Sequence, residues 1–188
     1  MRRLIRKLAP AAALVSVLAV TPQAMADDHA PTPSGSSMLV PGTSVELSEN
    51  GARDARTRAI AAEDPAAVSA TATLCGSGYE LELAEPLPDA RRFGTLFTYT
   101  KSNTSMSGAC AVFDNNLGTA KHMKLKLCPN RTGVACKVDE GTFSQYAGPV
   151  KGEGNHDAGW NNCSRVTAIM WSGGVAIIDR VRYVAPCD

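Results

Sequence analysis

Six cysteines, three histidines and a pair of closely spaced glutamates are the residues of this chain whose types suggest chemistry. Cys75, Cys110, Cys128, Cys136, Cys163 and Cys187 are even in number, so complete pairing leaves no thiolate for nucleophilic attack or metal ligation. Cys128 and Cys136 flank Pro129-Asn130-Arg131-Thr132-Gly133, a turn-prone run that a hairpin brings to bridging distance. Closing so short a loop stabilises by about 2–3 kcal/mol on the chain-entropy estimate. Two arrangements fit the other four. The expected one is Cys75–Cys187, clamping the ends, with Cys110–Cys163 joining interior strands; its competitor is Cys75–Cys110 with Cys163–Cys187.

The histidines are His29, His122 and His156. His156-Asp157 offers two ligand atoms, but no second His or Cys cluster has a ligand spacing, and the surrounding KGEGNHDAGW reads as a solvated Gly-rich loop. No metal and no cofactor are expected. Glu80 and Glu82 share a face in YELEL, about 6.6 Å apart on a strand; a retaining glycosidase needs about 5 Å. Alternating glutamates on a wet strand face account for the pattern, and no nucleophile-elbow, zinc-protease or phosphate-loop motif occurs. No catalytic residue is assigned, and a non-enzyme is expected. His122, Lys124 and Lys126 form a cationic row suited to an anionic polymer, with plain solvent exposure the simpler reading. Trp160, in the Gly-rich loop, is the candidate for sugar stacking or partner contact, against a lid over the core. Tyr146 is the second candidate contact.

The elements that must position these residues begin after an address label. Arg2, Arg3, Arg6 and Lys7 precede an apolar run from Leu8 to Val20, and Ala24-Met25-Ala26 closes the segment. This pattern predicts a signal peptide over 1–26 and a secreted protein with no membrane anchor after processing, because a spanning helix needs about 20 apolar residues. Four of the nineteen Lys and Arg leave with that segment and no acid does, so the remainder carries fifteen cations against eighteen anions. A net charge of −3 argues against nucleic acid as a partner. Residues 27–74 hold no Cys, Phe, Trp or Tyr, and their Ala, Ser, Thr, Pro and Gly content predicts a disordered leader. One short helix over Ala52–Glu63, capped by Asn50, is its expected exception.

All the cysteines and aromatics fall in 75–188, the size of one domain that gains from disulfides where the core is modest. Met123, Leu125 and Leu127 alternate with His122, Lys124 and Lys126, the period of a half-buried strand. TLFTYTK, RVTAIMW and VAIIDRVRYV are rich in β-branched and aromatic residues, and Asn, Gly and Pro clusters separate them. Pro149, which cannot donate to a ladder, places YAGPV on an edge strand or at a bulge. The expected fold is all-β: a small antiparallel sandwich or barrel stapled by three disulfides and preceded by the signal peptide and leader.

Cys75-Gly76-Ser77-Gly78-Tyr79, Cys110-Ala111-Val112, Tyr146-Ala147-Gly148-Pro149-Val150, the strand cysteine Cys163 and the terminal Cys187 carry a resemblance. On these residues the 75–188 domain resembles the spore-associated protein family of filamentous, sporulating actinomycetes. The resemblance implies a small extracellular protein of aerial hyphae or spore surfaces with no established enzymatic role. The expected partners are cell-wall glycan or spore-surface components. The alternative is a carbohydrate-binding or inhibitor module acting through the loop around Trp160.

Overall fold

The computed structural model describes residues 38–187. The expected signal peptide, His29 and residues 27–37 of the expected leader lie outside the described residues. Two sheets form the domain. The first contains β1 (Met38–Leu39), β2 (Glu46–Leu47), β3 (Glu80–Leu87), β4 (Gly94–Ser102), β5 (Met106–Asn115) and β8 (Tyr146–Asn155), in that spatial order. The second orders β10 (Val175–Tyr183), β9 (Arg165–Ser172), β6 (Lys121–Cys128) and β7 (Lys137–Phe143). Every pairing is antiparallel except the short parallel contact of β2 with β3. The all-β sandwich held by three disulfides is thus the architecture the alternation predicts.

Period two explains the space between the sheets. Met123, Leu125 and Leu127 on β6 and Val166, Ala168 and Met170 on β9 are fully buried, facing Leu96, Ala109, Ala111 and Phe113 of the larger sheet. Thr98 Oγ1 donates to the Val184 carbonyl at 2.6 Å, a buried polar tie across the sandwich. Trp160 closes this core at 5 % exposure. It lies flat on β8: a Cβ added to Gly152 would sit 2.1 Å from its ring, so only glycine admits the indole there.

The opposite face of the larger sheet is covered by a helical layer, and this corrects the expectation of a disordered leader through residue 74. Helices α1 (Glu49–Arg53), α2 (Ala55–Glu63) and α3 (Pro65–Cys75) form in succession. The expected helix over Ala52–Glu63 is divided at Asp54, and the caps are Ser48 and Asp54 rather than Asn50. Ser48 Oγ accepts from Gly51 N at 3.0 Å, and Asp54 Oδ1 from Thr57 N at 2.7 Å. Asp64 caps α3, with Pro65 at its first position. α1 rests on the backbone of β3: a Cβ on Gly51 would lie 2.3 Å from the Leu81 carbonyl oxygen.

A second core fills this layer. Val68, Thr71, Ala72 and Cys75 line one side of α3 at helical spacing and pack, with Ile60 and Ala61 of α2, over Leu81, Phe97, Tyr99 and Val112. Tyr99 Oη donates to the Val68 carbonyl at 3.0 Å and lies 2.6 Å from Thr71 Oγ1. Residues 49–75 have no aromatic of their own. They are ordered because the sheet supplies the aromatics against which their small side chains lose water.

The disulfides are Cys75–Cys110, Cys128–Cys136 and Cys163–Cys187, with no free cysteine among the described residues. The short loop closes as spacing predicts. The expected Cys75–Cys187 and Cys110–Cys163 pairs are corrected to the competing arrangement. Cys75 ends α3 directly over Cys110 on the helix-facing side of β5, whereas Cys163 and Cys187 meet at the far end of the second sheet, where Val184 N and Ala185 N donate to the carbonyls of Ser164 and Asn162.

Candidate functional site

The outer face of the four-stranded sheet is the side that no described element covers. Alternation sends His122, Lys124 and Lys126 outward from β6 because their neighbours face the core. In register across β9 stand Trp171, Ile169 and Thr167, and beyond Thr167 lies Val181 on β10. Val138, Val181 and Tyr183 are each about half exposed, at 51 %, 53 % and 51 %. An apolar sheet surface is thus interleaved with cations and open to solvent.

The cationic row is not uniform. Glu140 on β7 lies 2.8 Å from Lys124 Nζ and 3.4 Å from His122 Nε2, and the Lys124 hydrogen bond holds its carboxyl below the usual range. The His122 ring also stacks on Trp171, with centroids 4.7 Å apart. Lys126 enters no ion pair among the described residues. It opens instead into a groove of about 510 Å³ at the Cys128 end of the sheet, shared with Arg131, Arg165, Tyr183 and Val134. Cys128 pairs with Arg165, and Arg165 with Tyr183, so a guanidinium and a phenol ring sit side by side on neighbouring strands.

Local structure makes the groove stiff. The Cys128–Cys136 bridge closes one wall and Cys163 of the Cys163–Cys187 bridge lines another. Asn130 N donates to the Gly159 carbonyl at 2.8 Å, and the Arg131 guanidinium donates to the Asp157 carbonyl, tying this wall to the segment before Trp160. Ser164 Oγ accepts from Asn161 N and donates to Gly159 O, holding the turn that leads into Arg165.

The two residues singled out for ligand contact do not meet. Trp160 is buried in the core between the sheets, which corrects its reading as a sugar-stacking ring and supports the lid. Tyr146 lies on the other side of the larger sheet, opposite Asp114, and packs against the helical core while lining a groove of about 300 Å³ with Gln145 and Phe143. The alternation through YAGPV is interrupted, because Ala147 pairs with Phe113 and Val150 with Ala111, so Gly148 and Pro149 together stand opposite Val112 and the edge strand holds one extra residue. Pro149 occupies the edge and bulge position its missing N–H requires, and Gly148 N donates to Asp139 Oδ2 of β7 at 2.6 Å.

Glu80 and Glu82 do not share a wet face. A bulge between Leu81 and Leu83 turns Glu82 inward, to 4 % exposure, where its carboxylate accepts from Thr100 Oγ1 and from Asn50 Nδ2 at 3.3 Å. Glu80 stays exposed, its carboxyl shifted upward by partial burial and by the nearby Glu46 and Glu82 charges. Glu85, which alternation does not distinguish, is the more deeply committed acid: buried at 5 %, it accepts from Arg180 Nη2 at 2.7 Å and Arg182 Nη1 at 3.1 Å. His156 Nε2 lies 3.0 Å from the Asn103 carbonyl, and no group of three or more His, Cys, Asp or Glu able to hold a metal occurs among the described residues.

The CGSGY segment meets β8 just beyond YAGPV. Tyr79 Oη donates to Glu153 Oε1 at 3.0 Å, Lys101 Nζ sits at the same distance from that oxygen, and Lys151 Nζ donates to the Cys75 carbonyl at 3.1 Å. Burial, then the Glu153 hydrogen bond, raises the Tyr79 hydroxyl above its ordinary value. These contacts latch the end of α3 to β8. A third cluster joins the β3–β4 turn to the helices: Arg92 donates to Glu63 Oε1 at 2.9 Å and Thr95 Oγ1 at 3.1 Å, beside Asp114, whose carboxyl is pushed up to about 7 by burial and by the Asp64 charge, with Arg92 opposing.

Fold and site together define a disulfide-stapled, helix-backed β-sandwich with one open, partly cationic sheet face. Comparison with known proteins returns no matching family model, no matching curated protein and no matching solved structure.

Proposed function

We propose that this chain is a secreted, non-enzymatic protein of the cell or spore surface that makes contact through the open face of its four-stranded sheet. One observation carries the reading: the outer face of the larger sheet is sealed by helices, while the outer face of the smaller one leaves Val138, Val181 and Tyr183 half exposed. A face of that composition is stabilised by a partner that removes it from water. Three disulfides with no free thiol among the described residues suit an oxidising, extracytoplasmic space. No described helix is long and apolar enough to cross a membrane.

The shifted titrating groups favour contact over turnover. Asp114 lies under the helices, Glu153 is engaged by Tyr79 and Lys101, and Glu140 by Lys124, so these acids sit in separate places and do not converge on one cleft. The partners that suit the surface are cell-wall glycan or spore-surface components.

Fractionating a producing culture into supernatant, envelope and spores tests the reading. Wild-type protein is expected with the envelope or spores, and Val181→Glu, which puts a charge in the open face, is expected in the supernatant. Recovery of the wild type entirely as free protein, or reduced in the cytosol, would falsify it.

A further inference from the structure

We propose that the groove at the Cys128 end of the open sheet binds an acidic glycan, a sugar chain bearing carboxylate or phosphodiester groups. The proposal rests on the surface-contact reading and names the ligand class of that face. Lys126, Arg131 and Arg165 line one groove of about 510 Å³, and no carboxylate among the described residues lines it. Neither Lys126 nor Arg165 takes part in an ion pair among the described residues. Arg131 donates to the Asp157 backbone carbonyl, which orients its guanidinium without neutralising it.

Other described cations are matched with acids, as Arg53 is with Glu49, Arg56 with Asp89, Arg92 with Glu63, Lys101 with Glu153 and Lys124 with Glu140, whereas those outside any ion pair, such as Arg58, Arg91 and Lys137, line no common groove with one another. The chain after residue 26 is net negative, so three cations converging without a counter-ion among the described residues concentrate positive potential against the average of the molecule. Such a groove draws an anion. Two features select a glycan among anions. The Tyr183 ring, half exposed beside Arg165, offers a flat apolar platform for a sugar face, while Asn130 and Thr132 bring neutral hydrogen-bonding groups for hydroxyls. Disulfides at both walls hold this arrangement before the ligand arrives, which lowers the ordering cost of binding. Duplex nucleic acid suits the groove poorly, because its affinity comes from about 6–10 phosphate contacts spread along a backbone.

Titration calorimetry of the full secreted protein with polygalacturonate, with a phosphodiester-linked polyol wall polymer and with neutral β-glucan tests this. Binding to either anionic polymer, weakened by salt and absent with the glucan, is expected, and the tighter of the two identifies the anion. The double variant Lys126→Gln/Arg165→Gln should lose at least about tenfold in affinity, and Tyr183→Ala should lose a smaller factor. Arg56→Gln, which removes a cation from the helical layer, should bind as wild type. Thermal unfolding of each variant confirms that it is folded. Equal affinity for the neutral glucan, tighter binding of duplex DNA than of both polymers, or wild-type affinity in the double variant overturns the proposal. Envelope association without binding to any polymer would sink the glycan site alone; polymer binding by a protein that stays in the supernatant would sink the surface reading alone.

Discussion

The two sheets both carry apolar residues on their outer faces, and the fold treats them in opposite ways. On the larger sheet Leu81, Phe97, Tyr99 and Val112 are fully buried because α1, α2 and α3 lie over them. On the smaller sheet Ile169, Thr167, Val181 and Tyr183 occupy the equivalent outward positions with no layer above. The polar groups follow the same division. Over the covered face they are consumed by internal ties, Tyr99 to Val68 and Tyr79 to Glu153, whereas Lys126 and Arg165 keep their charges turned toward solvent. A β-branched or aromatic residue on a strand thus says that the strand is apolar on that side. What covers it depends on whether another segment of chain ends up there.

The contrast yields graded expectations. Phe97→Ala, which empties a ring-sized volume beneath the helices, should cost about 3–5 kcal/mol in urea unfolding. A loss under about 1 kcal/mol would mean that the helical layer does not pack as described. Replacing Cys75 and Cys110 by alanine together releases α3 from β5, and the chain-entropy estimate puts the loss at about 3–4 kcal/mol. Glu85→Gln leaves Arg180 and Arg182 facing a neutral group between the sheets and should lower stability by about 2–3 kcal/mol, read as a fall in the denaturation midpoint.

Asp114 sharpens the comparison through pH. Its native pKa, about 7, lies above its ordinary value of 3.8, so the folded state holds this proton more tightly than the unfolded chain. Its favourable contribution is complete below the unfolded value, is lost as pH rises toward 7, and changes no further above that. Unfolding of wild type and Asp114→Asn between pH 4 and 8 should show wild type losing about 1–2 kcal/mol relative to the variant as pH rises, the figure reduced because solvent reaches part of the carboxyl. A flat difference would remove burial under the helices as the cause. On the open face, Val181→Ala should change stability by less than about 0.5 kcal/mol. A larger loss would show that this face is covered after all.

Much of the sandwich was legible because each strand carries its own alternation. The β6 reading, Met123, Leu125 and Leu127 inward and the cations outward, holds residue by residue. Pro149 announced an edge and a bulge through its missing donor. β7, Lys-Val-Asp-Glu-Gly-Thr-Phe, is not legible in the sequence, because a largely exposed strand carries little apolar signal. A helix within Ala52–Glu63 is legible, but α3 is not: Val68, Thr71, Ala72 and Cys75 stand at helical spacing, yet small side chains give a weak contrast when their partner surface is unseen. Glu82 was misplaced because a bulge, which alternation cannot show, turned it inward. Trp160 looked like a contact residue because it stands in a Gly-rich loop; Gly152, eight residues earlier, is the glycine that lets its ring lie down.

The sequence by itself determined the one-sidedness of most strands and the tight Cys128–Cys136 loop, because both depend on neighbours within a few residues. Only the tertiary structure decided that residues 49–75 cover one sheet and not the other, that Cys75 finds Cys110, and that Lys126, Arg131 and Arg165 share a groove. Those outcomes join distant segments, 35 residues apart for Cys75 and Cys110, or lay one layer upon another, and they follow from which apolar surfaces exclude water together rather than from any local pattern.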